Sequence, residues 1–341
     1  MDDHRRILVA GATGVVGRRM VTALVAEGGT TVYGLARSAQ STELIERLGA
    51  IPIGGDALDH DAVDRAVRQT RPDTIIHQLT AIPHRAVNPR RLGKAFATTN
   101  ALRSTGTRNL VEAAERHGVQ RLIAQSIAFG YRPEGPMVLG EDAPLDSGAR
   151  GGWGDVVRAV AELEEAVLSS PNLVGVVLRY GGFYGSGTAL APDGYMGRLA
   201  RNRRLPVIGS GSGVQSFIHI DDACGAALAA LDAPPGTFNV VDDEPLRASE
   251  WIPVFASAIG APEPRHVPAW PMRLLAGDAM VKRMTAQRGA SNERIKRVIG
   301  WHPAYASFRE GVHHLADTVS PRPSLDDLAT AAYHAGHGHA S

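Results

Sequence analysis

The chain has 341 residues, of which 44% are hydrophobic and 21% are charged, a composition typical of a folded globular protein. Its 36 lysine and arginine residues nearly balance 35 aspartate and glutamate residues, so the formal net charge is +1 and neither a nucleic acid nor an anionic membrane is indicated as a partner. Cys224 is the only cysteine, which excludes a disulfide framework and a cysteine-ligated zinc cluster. A chain with one cysteine suits a reducing compartment, so we expect a cytoplasmic protein.

Short apolar runs alternate with stretches of helical spacing along the first half of the chain. Strands are predicted at 7–10, 31–36, 51–53, 73–78, 119–125 and 173–178, and helices at 15–26, 100–116 and 155–168. Strands that alternate with helices are typical of a parallel sheet with helices on both faces. The predicted fold is therefore α/β, with a Rossmann-type doubly wound parallel sheet.

Beyond residue 180 the pattern loosens, and glycine and proline become frequent. This change predicts a smaller C-terminal α/β lobe that binds substrate over the carboxyl ends of the strands. The expected domains are 1–180 for the Rossmann domain, 181–318 for the smaller lobe, interleaved with the first, and 319–341 for a flexible tail. The tail histidines, His334, His337 and His339, are expected to belong to a frayed terminus, and no metal site is predicted.

A glycine-rich loop follows the first predicted strand and opens the first predicted helix. Glycine at three positions lets the backbone turn tightly, lets a pyrophosphate approach the helix amides, and lets the helix pack close to the strand. The strand before it and the helix after it make this pattern specific for a dinucleotide. The expected phosphate-binding residues are Gly11, Thr13, Gly14, Val15, Val16 and Gly17.

The end of the second predicted strand favours NADP(H) over NAD(H). The sequence there is Gly34-Leu35-Ala36-Arg37-Ser38 and has no carboxylate to accept a ribose 2′-hydroxyl. The Arg37 guanidinium can bind a 2′-phosphate with two hydrogen bonds, and Ser38 can add a hydroxyl. We therefore expect NADP(H) as the cofactor.

Further motifs occur after the third, fourth and sixth predicted strands and in the second half. They are 55–59, 75–81, 100–110, 178–185, 217–223 and 238–241. Together with the glycine loop they make residues 5–315 resemble the extended short-chain dehydrogenase/reductase family, which contains nucleotide-sugar epimerases and dehydratases. The resemblance implies further cofactor contacts at Asp56, Ala57, Leu79, Thr80, Tyr180, Gly182 and Phe183. Arg158, on the helix predicted at 155–168, is expected either to hold the cofactor ribose or an anionic substrate or to be a solvated helix arginine.

The chain departs from this family at the residues that normally carry out its chemistry. The family uses a tyrosine and a lysine four residues apart on one helix to exchange a proton with substrate. Here the corresponding positions are Val156 and Val160, and no lysine occurs between Lys94 and Lys282. The family's diphosphate-binding arginine is replaced by Gln215, which disfavours a nucleotide-sugar substrate.

Ser126 matches the family's serine at the end of the fifth strand and is the predicted oxyanion donor. Tyr131, five residues later, is the first candidate for a replacement acid, although a tyrosine that only covers the core is an equal alternative. Predicted substrate contacts are Gln125, Trp153 and Gln215. The nearby aromatic residues Phe129, Phe183 and Trp153 suit an apolar substrate, and they fit equally well as part of the core.

Three functions fit these observations. The first is an NADP(H)-dependent oxidoreductase or epimerase that acts on a small metabolite other than a nucleotide sugar. The second is a dinucleotide-binding regulator without turnover, and the third is a lyase or cyclase on the same fold. A homodimer is also possible, in which Val156, Val160, Leu163 and Val167 form either the contact face or part of the monomer core.

Overall fold

Seven parallel strands organise the chain, and the computed structural model describes residues 4–83, 87 and 91–315. The first half contains β1 (Arg5–Ala10), α1 (Val15–Glu27), β2 (Thr30–Ala36), α2 (Ala39–Arg47), β3 (Ile51–Gly54), α3 (His60–Thr70), β4 (Thr74–His77), α4 (Leu92–Ala101), a π-helical turn (Leu102–Gly106), α5 (Thr107–His117), β5 (Arg121–Ile127), β6 (Val138–Leu139), α6 (Gly151–Leu168) and β7 (Val174–Tyr180). The predicted tail at 319–341 lies outside the described residues.

The second half contains shorter elements. They are β8 (Gly182–Tyr184), α7 (Tyr195–Arg201), β9 (Val207–Ile208), β10 (Val214–Gln215), β11 (Phe217–His219), α8 (Ile220–Ala229), a 3-10 turn (Ala230–Asp232), β12 (Gly236–Val240), β13 (Leu246–Arg247), α9 (Ala248–Ala258), β14 (His266–Val267), α10 (Ala269–Ala276), α11 (Asp278–Thr285), β15 (Gly289–Ala290), α12 (Glu293–Ile299), α13 (Phe308–Gly311) and a second 3-10 turn (Val312–Leu315). No helix in the described ranges is long and apolar enough to cross a membrane.

The main sheet has the strand order β3-β2-β1-β4-β5-β7-β12, and every neighbouring pair is parallel. The predicted Rossmann-type α/β fold is confirmed. The strand order reverses between β1 and β4, and ligands of such sheets bind in the crevice outside the carboxyl ends at this point. The glycine loop after β1 lies at that crevice.

Both faces of the sheet are buried, which explains why its strands are continuous apolar runs. Alternate residues of β1 belong to opposite cores: Val9 packs in the cluster with α1 and α8, and Leu8 in the cluster with α3, α5 and α6. A third core lies in the second lobe, where the rings of Phe217 and Phe308 stack with centroids 4.1 Å apart. The elements that surround the site are therefore anchored on rigid cores.

Two predicted boundaries differ from the structure. The helix expected at 100–116 is instead the end of α4, a π-helical turn and α5, since the chain inserts a wider turn at Leu102–Gly106. The motif at 238–241 was expected only in the smaller lobe, but Gly236–Val240 forms β12 at the edge of the main sheet. The second half of the chain therefore completes the domain begun by the first.

Candidate dinucleotide and substrate site

The glycine loop places the N-terminus of α1 beside the end of β4. Gly11 has a φ of 100°, and a Cβ there would lie 2.7 Å from the backbone carbonyl of Gln78. A Cβ on Gly17 would fall well inside contact distance of the Gly11 carbonyl oxygen. The first turn of α1 has no acidic residue, and its N-cap, Gly14, offers no side chain to bond its amides. These amides are therefore free to bind an anion.

The end of β2 leads directly into the N-terminus of α2. The Ser38 hydroxyl caps this helix by accepting a hydrogen bond from the Ser41 amide at 3.2 Å. Arg37 is exposed, and within the described chain its guanidinium makes no hydrogen bond or ion pair. A free guanidinium therefore stands at the strand end, while the Ser38 hydroxyl is already engaged.

The ends of β3 and β4 supply the neighbouring wall of the crevice. Asp56 is exposed, and its carboxylate accepts a hydrogen bond from the Leu58 amide at 3.0 Å. Ala57 is buried, and its carbonyl accepts a hydrogen bond from the side-chain Nδ2 of Asn109 at 2.9 Å. Leu79 and Thr80 follow β4 and are partly buried. The sheet brings these predicted cofactor residues to the same edge as the glycine loop.

His77, the last residue of β4, is buried between two partners. Its Nε2 lies 3.0 Å from Thr107 Oγ1, and its Nδ1 accepts a hydrogen bond from the Leu79 amide at 3.2 Å. Burial lowers the pKa of His77 to about 4. The imidazole is therefore neutral and orients the chain that follows β4.

Ser126 does not face the crevice. Along β5 it shares its side of the sheet with Leu122 and Ala124, which pack against α5 and α6. It is fully buried, and its hydroxyl donates a hydrogen bond of 2.5 Å to Glu164 on α6. The expected role of Ser126 as an oxyanion donor is not supported, because its only hydroxyl proton is already committed to a carboxylate.

Glu164 is held by Arg179 on β7 in a two-pronged ion pair. Arg179 Nη2 lies 2.6 Å from Oε2, and Arg179 Nε lies 2.8 Å from Oε1. Both side chains are only 8% exposed. This guanidinium also donates to the Tyr131 hydroxyl at 3.0 Å, so the two predicted catalytic residues meet in one buried network.

Tyr131 is 5% exposed, and its hydroxyl donates a 2.6 Å hydrogen bond to Asn239 of β12. Burial raises the pKa of the Tyr131 phenol. Asn239 in turn donates its backbone amide to Glu141 at 2.8 Å. The expected role of Tyr131 as a replacement acid is corrected on this geometry, since the phenol bridges strands inside the protein and does not reach the crevice.

The inner face of α6 is apolar where the family carries its tyrosine and lysine. Val156 is 3% exposed and Val160 fully buried, and both pack with Ile127. Phe96, Phe129 and Trp153 pack against the same cluster. Leu163 and Val167 are also buried, so these four α6 residues belong to the monomer core and not to a dimer face.

Arg158 lies on the opposite, exposed face of α6. Its guanidinium donates to Asp155 at 2.6 Å and to the carbonyls of Ser147 and Ala149 at 3.2 and 3.1 Å. The expected contact of Arg158 with the cofactor is not supported, because the side chain fastens the preceding loop to the outside of the helix.

Tyr180 ends β7 and is 1% exposed, with its ring 5.3 Å from that of Phe183. Its phenol lies 3.4 Å from the carbonyl of Ala223. This side chain fills the core, and the expected contact of Tyr180 with the cofactor stays a prediction. Gly182 and Phe183 in β8 are partly buried and remain beside the crevice.

The predicted substrate residues Trp153 and Gln215 belong to one cluster between the two lobes. Arg283, which the sequence did not indicate, belongs to the same cluster. Phe129 and Trp153 stack with ring centroids 6.3 Å apart. The guanidinium carbon of Arg283 on α11 lies 5.0 Å from the centroid of the Phe129 ring. Arg283 Nη2 donates a 3.5 Å hydrogen bond to Gln215 Oε1.

Gln215 joins this cluster to the start of β8, since a Cβ on Gly182 would lie 2.6 Å from Gln215 Nε2. Gln125 is partly buried and, by strand alternation, faces the other side of the sheet from Ser126. No sequence signal marks Arg283, because a single arginine in an amphipathic helix is usually solvated.

A family model described as the NAD dependent epimerase/dehydratase family matches residues 7–240. The chain belongs to this family. The resemblance inferred from the motifs is thereby confirmed, and with it the expectation of an enzyme of the oxidoreductase and epimerase type.

Relatives within the family include several reductases. A 3-diazoavenalumate denitrifying reductase from Streptomyces is 47% identical over 309 residues, which cover 90% of this chain and 99% of the relative. A 2-alkyl-3-oxoalkanoate reductase from Stenotrophomonas maltophilia is 26% identical over 342 residues, which cover 91% of this chain and 98% of the relative. The UDP-glucose 4-epimerase of Thermus thermophilus, solved with NAD, is 25% identical with a TM-score of 0.68 and covers 92% and 98% of the two chains.

Proposed function

We propose that this enzyme is an NADP(H)-dependent reductase that delivers a hydride to an aromatic carbon bearing a diazonium group and releases dinitrogen. The observation that carries the proposal is the apolar inner face of α6. Val156 and Val160 pack there among aromatic side chains, and neither can give or take a proton. A substrate that accepts a hydride without needing a protein-borne proton fits such a site.

The chemistry of the two kinds of reduction explains this preference. Carbonyl reduction forms an alkoxide, which a positioned acid must protonate. At a diazonium carbon the hydride forms a C–H bond while the C–N bond breaks, and its electron pair leaves with dinitrogen. The nicotinamide loses two electrons and the aryl carbon gains them. No proton is transferred at the reacting carbon, so neither a tyrosine nor a lysine is required.

The similarity to the diazoavenalumate reductase supports the same conclusion, because it extends over nine-tenths of this chain and nearly all of that relative. A similarity of that breadth includes most of both halves of the chain. The loss of the diphosphate-binding arginine at Gln215 adds support for a substrate other than a nucleotide sugar.

An isotope experiment tests this function. The enzyme is incubated with NADPH that carries deuterium at its transferable position and with a hydroxycinnamate that bears a diazonium group beside its phenol; a reaction without enzyme gives the background. We expect dinitrogen release matched to NADPH oxidation, and deuterium at the ring carbon that lost nitrogen. Ring deuterium that comes from heavy water instead of the cofactor would contradict the proposal. Tight NADPH binding without any oxidation would favour the regulatory alternative.

The cofactor preference is proposed from Arg37, whose free guanidinium at the end of β2 suits a 2′-phosphate. Arg37→Gln is expected to weaken NADPH binding about 30-fold while changing NADH binding little, because a charge-assisted pair is lost. Calorimetry with both nucleotides measures this. Arg47→Gln, an exposed arginine on α2 that pairs with Glu43, is the matched control. Equal affinity of the unaltered protein for the two nucleotides would defeat the assignment.

A further inference from the structure

We propose that Arg283 is the anchor for a carboxylate on the substrate, bound at the end of the molecule remote from the reacting carbon. The inference rests on the proposed function for the reaction, but the anion site itself stands on the geometry around this guanidinium. It narrows the substrate class to planar aromatic acids.

The guanidinium of Arg283 has no counter-ion in the part of the chain that the structure describes. Among the described residues its one hydrogen bond is the 3.5 Å contact to the neutral Gln215 amide, and no aspartate or glutamate oxygen lies within 4 Å. By contrast, Arg179 pairs with Glu164 at 2.6 Å and Arg294 with Asp142 at 2.5 Å. Burial also lowers the pKa of the Arg283 guanidinium, in line with a site that has no nearby carboxylate among the described residues.

An uncompensated, partly buried cation is costly, because its lost hydration must be replaced. A ligand that supplies the missing partner would offset this cost. The planar fork of an arginine matches a carboxylate with two parallel hydrogen bonds. Gln215 Oε1 accepts a hydrogen bond from Arg283 Nη2 and so fixes the direction of the guanidinium.

The position of Arg283 suits one end of an elongated aromatic molecule. It belongs to α11 of the second lobe, yet its guanidinium covers the ring of Phe129, which follows β5 of the first lobe. Trp153 stacks on that ring from α6. An aromatic substrate between the lobes would therefore contact these rings while its acid group meets the fork.

Replacement of Arg283 by methionine tests the anchor when activity on the substrate acid is compared with activity on its methyl ester. With the diazonium hydroxycinnamate we expect kcat/KM to fall about 100-fold, chiefly through KM, since a charge-assisted pair is lost. With its methyl ester, which has no anion, the variant and the unaltered enzyme should differ less than about three-fold. Arg283→Lys should recover part of the activity on the acid, because it keeps the charge but not the fork.

A binding measurement separates this inference from the reaction. Calorimetry follows para-coumarate, an unreactive aromatic acid, as it binds to the enzyme saturated with NADP⁺. We expect binding that Arg283→Met abolishes and that Arg288→Met preserves; Arg288 is another partly buried arginine of the same lobe, which bonds to Met137 and Ala286.

The outcomes distinguish the two proposals. Arg283-dependent binding of para-coumarate without any dinitrogen release would overturn the reaction and keep the anchor. If dinitrogen is released but Arg283→Met loses kcat/KM equally on the acid and on the ester, the proposed reaction stands and the anchor is overturned. The anchor is also overturned if para-coumarate does not bind to the unaltered enzyme. The same holds if Arg283→Met loses affinity for NADP⁺ but keeps its affinity for the acid.

Discussion

Replacement of Glu164 by glutamine is expected to lower the free energy of unfolding by about 3–5 kcal/mol. The change leaves the Arg179 guanidinium buried beside a neutral amide, with the charge that balanced it removed. Arg179 also donates to the Tyr131 hydroxyl and to the Glu141 carbonyl, both at 3.0 Å. The loss therefore reaches two other elements of the buried network.

Denaturant unfolding at neutral pH measures this effect, and the neighbouring Glu165 gives the matched control. Glu165 is exposed on the outer face of α6, so Glu165→Gln should change stability by less than about 0.5 kcal/mol. The double variant Glu164→Leu with Arg179→Met removes both charges and should recover much of the loss. Similar stability of Glu164→Gln and Glu165→Gln would show that the ion pair is not an essential part of the core.

A second large effect is expected from Gly17→Ala, which should abolish detectable dinucleotide binding. The added methyl group would collide with the Gly11 carbonyl oxygen, a backbone atom that cannot move away as a side chain can. Either α1 moves away from β1 or the loop opens, and both displace the amides that bind the pyrophosphate. We also expect a loss of stability of about 2–4 kcal/mol from the broken packing.

Substitutions at two other glycines distinguish an effect on folding from an effect on ligand binding. A Cβ on Gly14 would lie 3.2 Å from the Gly11 oxygen, so Gly14→Ala should fold but bind NADPH about 10-fold more weakly, because the methyl group projects where the phosphates approach. Gly54 has no atom within 4 Å of its Cβ position, so Gly54→Ala should change neither property. Calorimetry and thermal unfolding of the three variants provide the comparison. Normal NADPH affinity in Gly17→Ala would refute the close approach.

The fold could be predicted from the sequence because the strands are buried on both faces and therefore appear as apolar runs. The sequence also located the glycine loop, since that loop needs only a strand before it and a helix after it. It did not show that β12 belongs to the main sheet, because pairing between Gly236–Val240 and β7 is a long-range contact that no local pattern contains. The π-helical turn was missed for a similar reason, since apolar spacing does not distinguish a wider turn.

The errors at the site arose from the direction of side chains. Ser126 has the same parity along β5 as Leu122 and Ala124, so strand alternation places it on the side of the sheet that packs against α5 and α6. Glu164 lies four residues after Val160 on the same apolar face, and a carboxylate on such a face predicts a buried cation. Arg179, between Leu178 and Tyr180 in an apolar strand, was that cation. Motif matching located these residues without showing which of them faces the ligand.

The edge strand β12 also has a consequence for how the protein is made. Residues 5–180 supply six of the seven strands, but the seventh comes from Gly236–Val240. During synthesis, β7 emerges from the ribosome with its outer edge unpaired until the intervening segment has followed. Chaperones that shield exposed strand edges would act in that interval, and a nascent chain halted before residue 236 should associate with them more strongly than one halted after residue 240.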